Sequence, residues 1–343
     1  MPTQTPAQSA NAVRALGFIS ELQKRYVKGL NEICASDKTF LAMEWLRDDG
    51  KHGGGARFMA TDAEVFNRAS INISQVHYDD DPSRKLGSAT AISAISHPAH
   101  PLWPSMHMHI SWTEMKNTAG YFRLMADLNP AIPNDRDTQL FKNAIQEAGS
   151  DHTSLAEQQG DRYFHIPSLD RHRGVYHFYL EQFTTPSLDE DFKYAQNFGE
   201  KTIDAYCEIL KRAQAQHLPL SEEDSKKQLE YHSVYLLQVL TLDRGTTSGL
   251  LIHDQNDTGI LGSLPSHVSK PLLQSWVNKQ PKPQDELLTG LIRCLPEGDV
   301  CLVDDAVKLK FASYIRDHYK KFPQALDMQA SGNSVPPTVD NHK

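Results

Sequence analysis

"SMHMHISW" (Ser105–Trp112) alternates polar and apolar side chains without a break. Neighbouring side chains of a β-strand point to opposite faces. Met106, Met108, Ile110 and Trp112 then share one face, and Ser105, His107, His109 and Ser111 the other. The apolar face requires a core beneath it. The other face carries two histidines two residues apart and is the first place to look for chemistry.

The same period of two runs upstream through "ARFMAT" (Ala56–Thr61), "INISQVHY" (Ile71–Tyr78) and "TAISAIS" (Thr90–Ser96), with Gly, Asp and Pro clusters between the runs. Downstream, "GVYHFYLEQF" (Gly174–Phe183) reads as a further strand. "YLLQVLTLD" and "GLLIHD" read as a strand pair joined by the turn "RGTTS". Helices are predicted where apolar residues recur at steps of three and four, as at Val13, Leu16, Ile19, Leu22, Tyr26, Leu30 and Ile33, and again over Asp135–Ala148 and Asp191–Ala215. Long helices among strands without strict βαβ alternation predict an α+β layered fold with a large, mainly antiparallel sheet. Residues 11–325 read as a single domain between flexible tails, 1–10 and 326–343.

The chain has 343 residues, 39% hydrophobic and 23% charged, enough to bury a large core. A formal charge of -8 argues against a nucleic-acid surface, which needs concentrated Lys and Arg. No apolar run approaches the ~20 residues needed to cross a bilayer, so membrane insertion is not expected. "MPTQTPAQSANAV" has neither the basic start nor the apolar core of a secretion signal. Cys34, Cys207, Cys294 and Cys301 form no CxxC pair. A reduced, cytoplasmic protein is expected. "GKHGGGARF" (Gly50–Phe58) lacks the Ser or Thr that follows Gly-Lys in a phosphate loop, and reads as a glycine-rich turn or flap. GxSxG and HExxH are absent.

Seven blocks, "WLRDDGKHGGG", "FNRASINISQVH", "SAISHPAHPLWPSMHMH", "YFRLMADLNP", "RGVYHFYLEQF", "LDRGTTSGL" and "ILGSLP", span Trp45 to Pro265. In order and spacing they resemble the oxygen-dependent coproporphyrinogen III oxidase family. The resemblance implies an antiparallel sheet covered by helices on both faces, a homodimer, and a substrate cleft between sheet and helical layer. It implies O2 as co-substrate, no organic cofactor, and oxidative decarboxylation of propionate groups on a reduced tetrapyrrole. His107 stands at the family's proposed catalytic histidine. Asp127 stands at the aspartate thought to hold the substrate's pyrrole N–H groups. Ser93, Asn72, Ser74, Asp243 and Arg244 stand at substrate-contacting positions.

Departures from the family pattern shape the functional expectation. His109 and Ser111 replace an Asn and an Arg, and His232 replaces a second Arg. Arg123, Leu124 and Met125 fill one glycine run, and Val175, Tyr176 and His177 another. Fewer cations and filled glycines predict an O2-dependent oxidase, or oxidative decarboxylase, acting on a substrate smaller than a tetrapyrrole, with Tyr176 among its contacts. The alternatives are an authentic coproporphyrinogen III oxidase of haem synthesis and a non-catalytic ligand-binding relative. Survival of His107, Asp127 and "DRGT" favours an enzyme. His107, His109 and His177, with Glu181 or Asp127, are of the right types for an iron or copper site, or else form a hydrogen-bonded cluster that orients the substrate.

Overall fold

A computed structural model describes residues 3–36, 39–61, 64–216, 219–334 and 338–342. Its centre is a seven-stranded antiparallel sheet of β1 (Leu41–Leu46), β2 (Gly53–Thr61), β3 (Phe66–His77), β4 (Leu86–Pro98), β5 (Ser105–Met115), β6 (Tyr121–Asn129) and β9 (Tyr176–Phe183), paired in that order. A two-residue ladder of β7 (His165–Ile166) and β8 (Arg171–His172) lies just before β9. The α+β class and the antiparallel sheet are as expected.

β5 alternates as its sequence predicts. Met106, Met108, Ile110 and Trp112 are buried in the main core, opposite the histidines. That core is closed by α1 (Ala10–Cys34) and α4 (Leu188–Gln216), with α2 (Asp135–Gly149) beside α4 and α3 (Thr153–Phe164) against β9. Contact is close: a Cβ on Gly199 of α4 would lie 2.5 Å from Leu22 of α1 and 2.9 Å from Ile110 of β5. Each large aliphatic side chain so buried contributes about 1.5–3 kcal/mol relative to exposure.

The second helical layer covers the histidine face. It consists of α5 (Glu222–Thr241), α6 (Arg244–Ile252), α7 (Asp257–Ile260), α8 (Lys270–Ser275), α9 (Gln284–Cys294) and α10 (Asp305–Lys321), with a short ladder of β10 (His267–Ser269) and β11 (Val300–Leu302). The predicted strand pair is here α5 and α6. α5 is buried from Tyr231 to Thr241 on every side, so "YLLQVL" shows no helical stripe and suits a strand equally well. The start of α5 is a capping box, in which Ser221 Oγ accepts from Asp224 N–H at 3.1 Å and Asp224 Oδ2 from Ser221 N–H at 3.0 Å. "RGTTS" is the first turn of α6, with Asp243 as its cap.

"GKHGGGARF" is not a flap, since Gly53–Gly55 begin β2. A Cβ on Gly55 would lie 2.0 Å from the Ile73 carbonyl oxygen and 2.8 Å from Trp45 Nε1. The missing side chain lets the Trp45 indole cross the strand and donate to Asn72 Oδ1 at 3.1 Å. Where described, the expected tails lie against the body: Ala7 N–H donates to Gln75 Oε1 at 2.9 Å and Ala330 N–H to the Leu242 carbonyl at 2.9 Å. A last short helix, α11 (Thr338–Asn341), ends the described chain. No described helix is long and apolar enough to cross a membrane.

Candidate functional site

Strand register arranges the polar face of the sheet in rows. Residues directly opposite each other in an antiparallel pair share a face. One row runs Ser70, Ile95, His107, Asp127, His177; the next Asn72, Ser93, His109, Met125, Tyr179; the third Ser74, Ala91, Ser111, Arg123. Between these rows and the second helical layer lies a cavity of about 270 Å³ lined by Asn72, Ser74, Ser93, His107, His109, Arg123, Met125, Arg173, Tyr235 and Asp243, among others. A second cavity of about 220 Å³ adjoins it, sharing Ser74, His109, Arg123 and His253. Thr338, Asn341 and His342 of the C-terminal segment line that second cavity. Together they reach the size range of pockets that hold drug-sized ligands, about 300–1,000 Å³.

His107 and Asp127 form a hydrogen-bonded pair at this floor. Asp127 is fully buried, its Oδ1 2.7 Å from His107 Nδ1, and its Oδ2 accepts from Arg173 Nη2 at 2.7 Å and Asn129 Nδ2 at 2.6 Å. Burial opposes ionisation of this carboxyl, but the Arg173 guanidinium and His107 outweigh it and hold its pKa well below the usual carboxylate range. An ionised partner fixes the tautomer: His107 donates Nδ1–H to Asp127, and Nε2 is left toward the cavity with no partner among the described residues. Arg173 is anchored in turn by donating Nη1–H to Gln238 Oε1 at 2.6 Å.

Asp127 is thus committed to protein partners and does not line the cavity. Its Oδ1 orients the His107 ring, and the expected hold on pyrrole N–H groups would need one of these contacts to give way. His109 lies beside His107, with Nδ1 2.6 Å from Ser93 Oγ. Burial, with Arg123 and His107 adding to it, pushes its pKa well below the usual imidazole value, so it is neutral. Asp243 lines the cavity while capping α6, its Oδ1 accepting from Thr246 N–H at 2.6 Å and its Oδ2 from Tyr163 O–H at 2.8 Å. Arg244 lines neither cavity; it points at the Leu326 carbonyl, 3.4 Å away.

The expected iron or copper set does not assemble. Both ring nitrogens of His177 are taken, Nδ1 by Asp161 Oδ1 at 2.8 Å and Nε2 by the Arg173 carbonyl at 2.7 Å. Asp127 separates His107 from His177 in the row, and Glu181 lies beside Arg123, 3.9 Å from its Nε. Among the described residues no three His, Cys, Asp or Glu side chains converge as a ligand set.

The filled glycine positions also fall differently. Leu124 faces the main core, and Tyr176 turns to the α2 side, donating its O–H to Glu157 Oε1 at 2.9 Å. Val175 and His177 line neither cavity. Only Arg123 and Met125 of these substitutions reach the cleft, and Arg123 brings a cation with it. Arg173 was missed as a cleft residue, and Arg123 was read only as filling a glycine position. Arg173 precedes Gly174, whose φ of 84° marks the turn that aims it inward, and "RHRG" alone does not reveal that turn.

A sequence model of the coproporphyrinogen III oxidase family matches residues 14–291. The chain is similar to the oxygen-dependent coproporphyrinogen-III oxidase of Rickettsia akari (strain Hartford), 29% identical over 249 residues that cover 68% of this chain and 86% of that protein. The protein of the same name from Rickettsia bellii (strain OSU 85-389) is 30% identical over 243 residues, 67% of this chain and 84% of its own. That of Francisella philomiragia subsp. philomiragia is 25% identical over 291 residues, 78% and 92%.

Proposed function

This chain belongs to the coproporphyrinogen III oxidase family, and from that premise we propose that it decarboxylates the propionate side chains of coproporphyrinogen III with O2 as oxidant. The observation that carries the reading is the cavity-facing Nε2 of His107, oriented by buried, ionised Asp127. Each propionate that becomes a vinyl group releases CO2, one proton and two electrons, and O2 accepts the electrons. His107 Nε2 is placed to take a pyrrole N–H proton, which makes the ring easier to oxidise. Asp127 stabilises the imidazolium that results, as in other carboxylate–histidine pairs.

This reading replaces a substrate smaller than a tetrapyrrole. That expectation rested on lost cations and filled glycines, whereas Leu124, Val175, Tyr176 and His177 stay out of the cavities and Arg123 and Arg173 line the larger one. The relatives are named as oxygen-dependent coproporphyrinogen-III oxidases, which points the same way. A cytoplasmic homodimer accompanies the reading; the outer strand β1, which exposes Leu41 and Met43, is an edge available for such contact.

The test is aerobic turnover of coproporphyrinogen III, read as protoporphyrin fluorescence after oxidation of the product. The wild-type chain should convert it, and His107→Ala should lose at least about a hundredfold in kcat with little change in KM. A folded wild-type chain that consumes no coproporphyrinogen III overturns the reading.

A further inference from the structure

We propose that Arg123 is a specificity-determining residue that binds a carboxylate of the substrate remote from the reacting group. The inference rests on the function proposed above. Arg123 sits where the two cavities meet and lines both. In register it lies directly across from Ser111 on β5, so β6 supplies the cation in a row where β5 offers only a hydroxyl. It lies four residue steps along β6 from Asp127, the partner of His107, which is about 13 Å along a strand. A carboxylate held at Arg123 therefore belongs to a different part of the ligand from a group reacting at His107. The site selects ligands with several well-separated acids.

The guanidinium is fixed in place and open on one edge. Its Nε donates to Tyr179 Oη at 3.0 Å and its Nη2 to Tyr163 Oη at 3.2 Å. Nη1 has no hydrogen-bond partner among the described residues and faces Gly245, where a Cβ would still lie 3.6 Å away. The nearest carboxylate, Glu181, stands 3.9 Å from Nε, beyond hydrogen-bond distance. Asp243, the next acid, is occupied by the α6 N-terminus and Tyr163. A planar fork held by two phenols, with a free N–H edge on a cavity, is suited to a carboxylate and would be poorly replaced by lysine.

The test uses the full chain, with turnover of coproporphyrinogen III and fluorescence binding of two stable porphyrins, coproporphyrin III with four carboxylates and mesoporphyrin IX with two. The wild type should bind the four-acid porphyrin more tightly. Arg123→Gln should raise KM and the coproporphyrin Kd by about tenfold to a hundredfold, reduce kcat by less than about threefold, and erase the preference between the porphyrins. Glu181→Gln removes the competing charge and should lower both constants by about threefold. A folded Arg123→Gln chain with wild-type KM and Kd overturns the inference. If that variant does not fold, unchanged or raised constants in Glu181→Gln do so. A wild type without porphyrin preference overturns it whatever its turnover. A wild type that shows the preference but no turnover leaves the carboxylate site standing and removes the proposed function instead.

Discussion

His107 and Asp127 were individually legible in the sequence, because each sits in a motif of recognisable order. Their contact was not, since it depends on β5 and β6 pairing in one register, and β6 itself was not predicted. Arg173 completes the unit from a loop 46 residues away from Asp127. Removing the carboxylate charge tests the unit. Asp127→Asn frees the imidazole tautomer and leaves the guanidinium of Arg173 buried without a counter-charge. We expect kcat to fall by about 10²–10⁴ while KM moves little, and stability at neutral pH to drop by about 3–5 kcal/mol. The pH dependence has a definite sign. Asp127 titrates far below its unfolded value of about 3.9, so its stabilisation is complete above that value and is lost as pH falls through the lower folded pKa. The gap between wild type and variant in urea unfolding should therefore be constant from pH 5 to 7 and begin to close only below about pH 4. A gap that closes at pH 6 would show that another group carries it.

At the scale of elements, alternation was a sound guide where one strand face is polar, as in β5, and failed at β6 and α5, which are covered on both sides. β6 is buried at nearly every position, so its sequence has no period to read, and α5 is a helix with no polar face along its second half. What the sequence hides in such elements, the turns between them decide. Gly174 joins the β7–β8 ladder to β9 with φ of 84°, a conformation L side chains rarely adopt. A Cβ there would lie 2.6 Å from the Leu128 carbonyl oxygen and 2.7 Å from Asn129 Oδ1. Gly174→Ala should cost roughly 1–3 kcal/mol in backbone strain alone. It should also push Asn129 and Arg173 off Asp127, so activity should fall further than stability accounts for. Crystallography of the variant, or its kcat at a temperature where it is fully folded, checks this; full kcat in the folded variant would mean that Arg173 is held without the turn.

For the molecule as a whole, the histidine face of the sheet and the helical layer above it bury imidazoles that must stay neutral. Burial lowers the pKa of His97, with His232 adding to the effect, and lowers that of His109 in the cleft. His232 is pushed down to about 3, again by burial, and its Nε2 is buried without a partner among the described residues. In the unfolded chain all three titrate near 6.5. Below that pH the unfolded state binds protons that the folded state does not, so stability rises with pH across this window and falls as pH is lowered. Each such histidine adds a slope of up to about 1.4 kcal/mol per pH unit, and for His232 the loss continues down to about pH 3. Between pH 6 and 5 the buried aspartates Asp127 and Asp243, both held below their usual range, remain ionised in either state and contribute no slope. The decline there belongs to the histidines. Urea unfolding at half-unit pH steps should give wild type a steep fall below pH 6.5. His232→Gln should reduce that slope by one proton's worth, about 1.4 kcal/mol per unit, without altering the position of His107 or the KM for substrate. Equal slopes in the two proteins would mean that His232 takes up its proton in the folded state, and that the layer above the cleft admits water at that point.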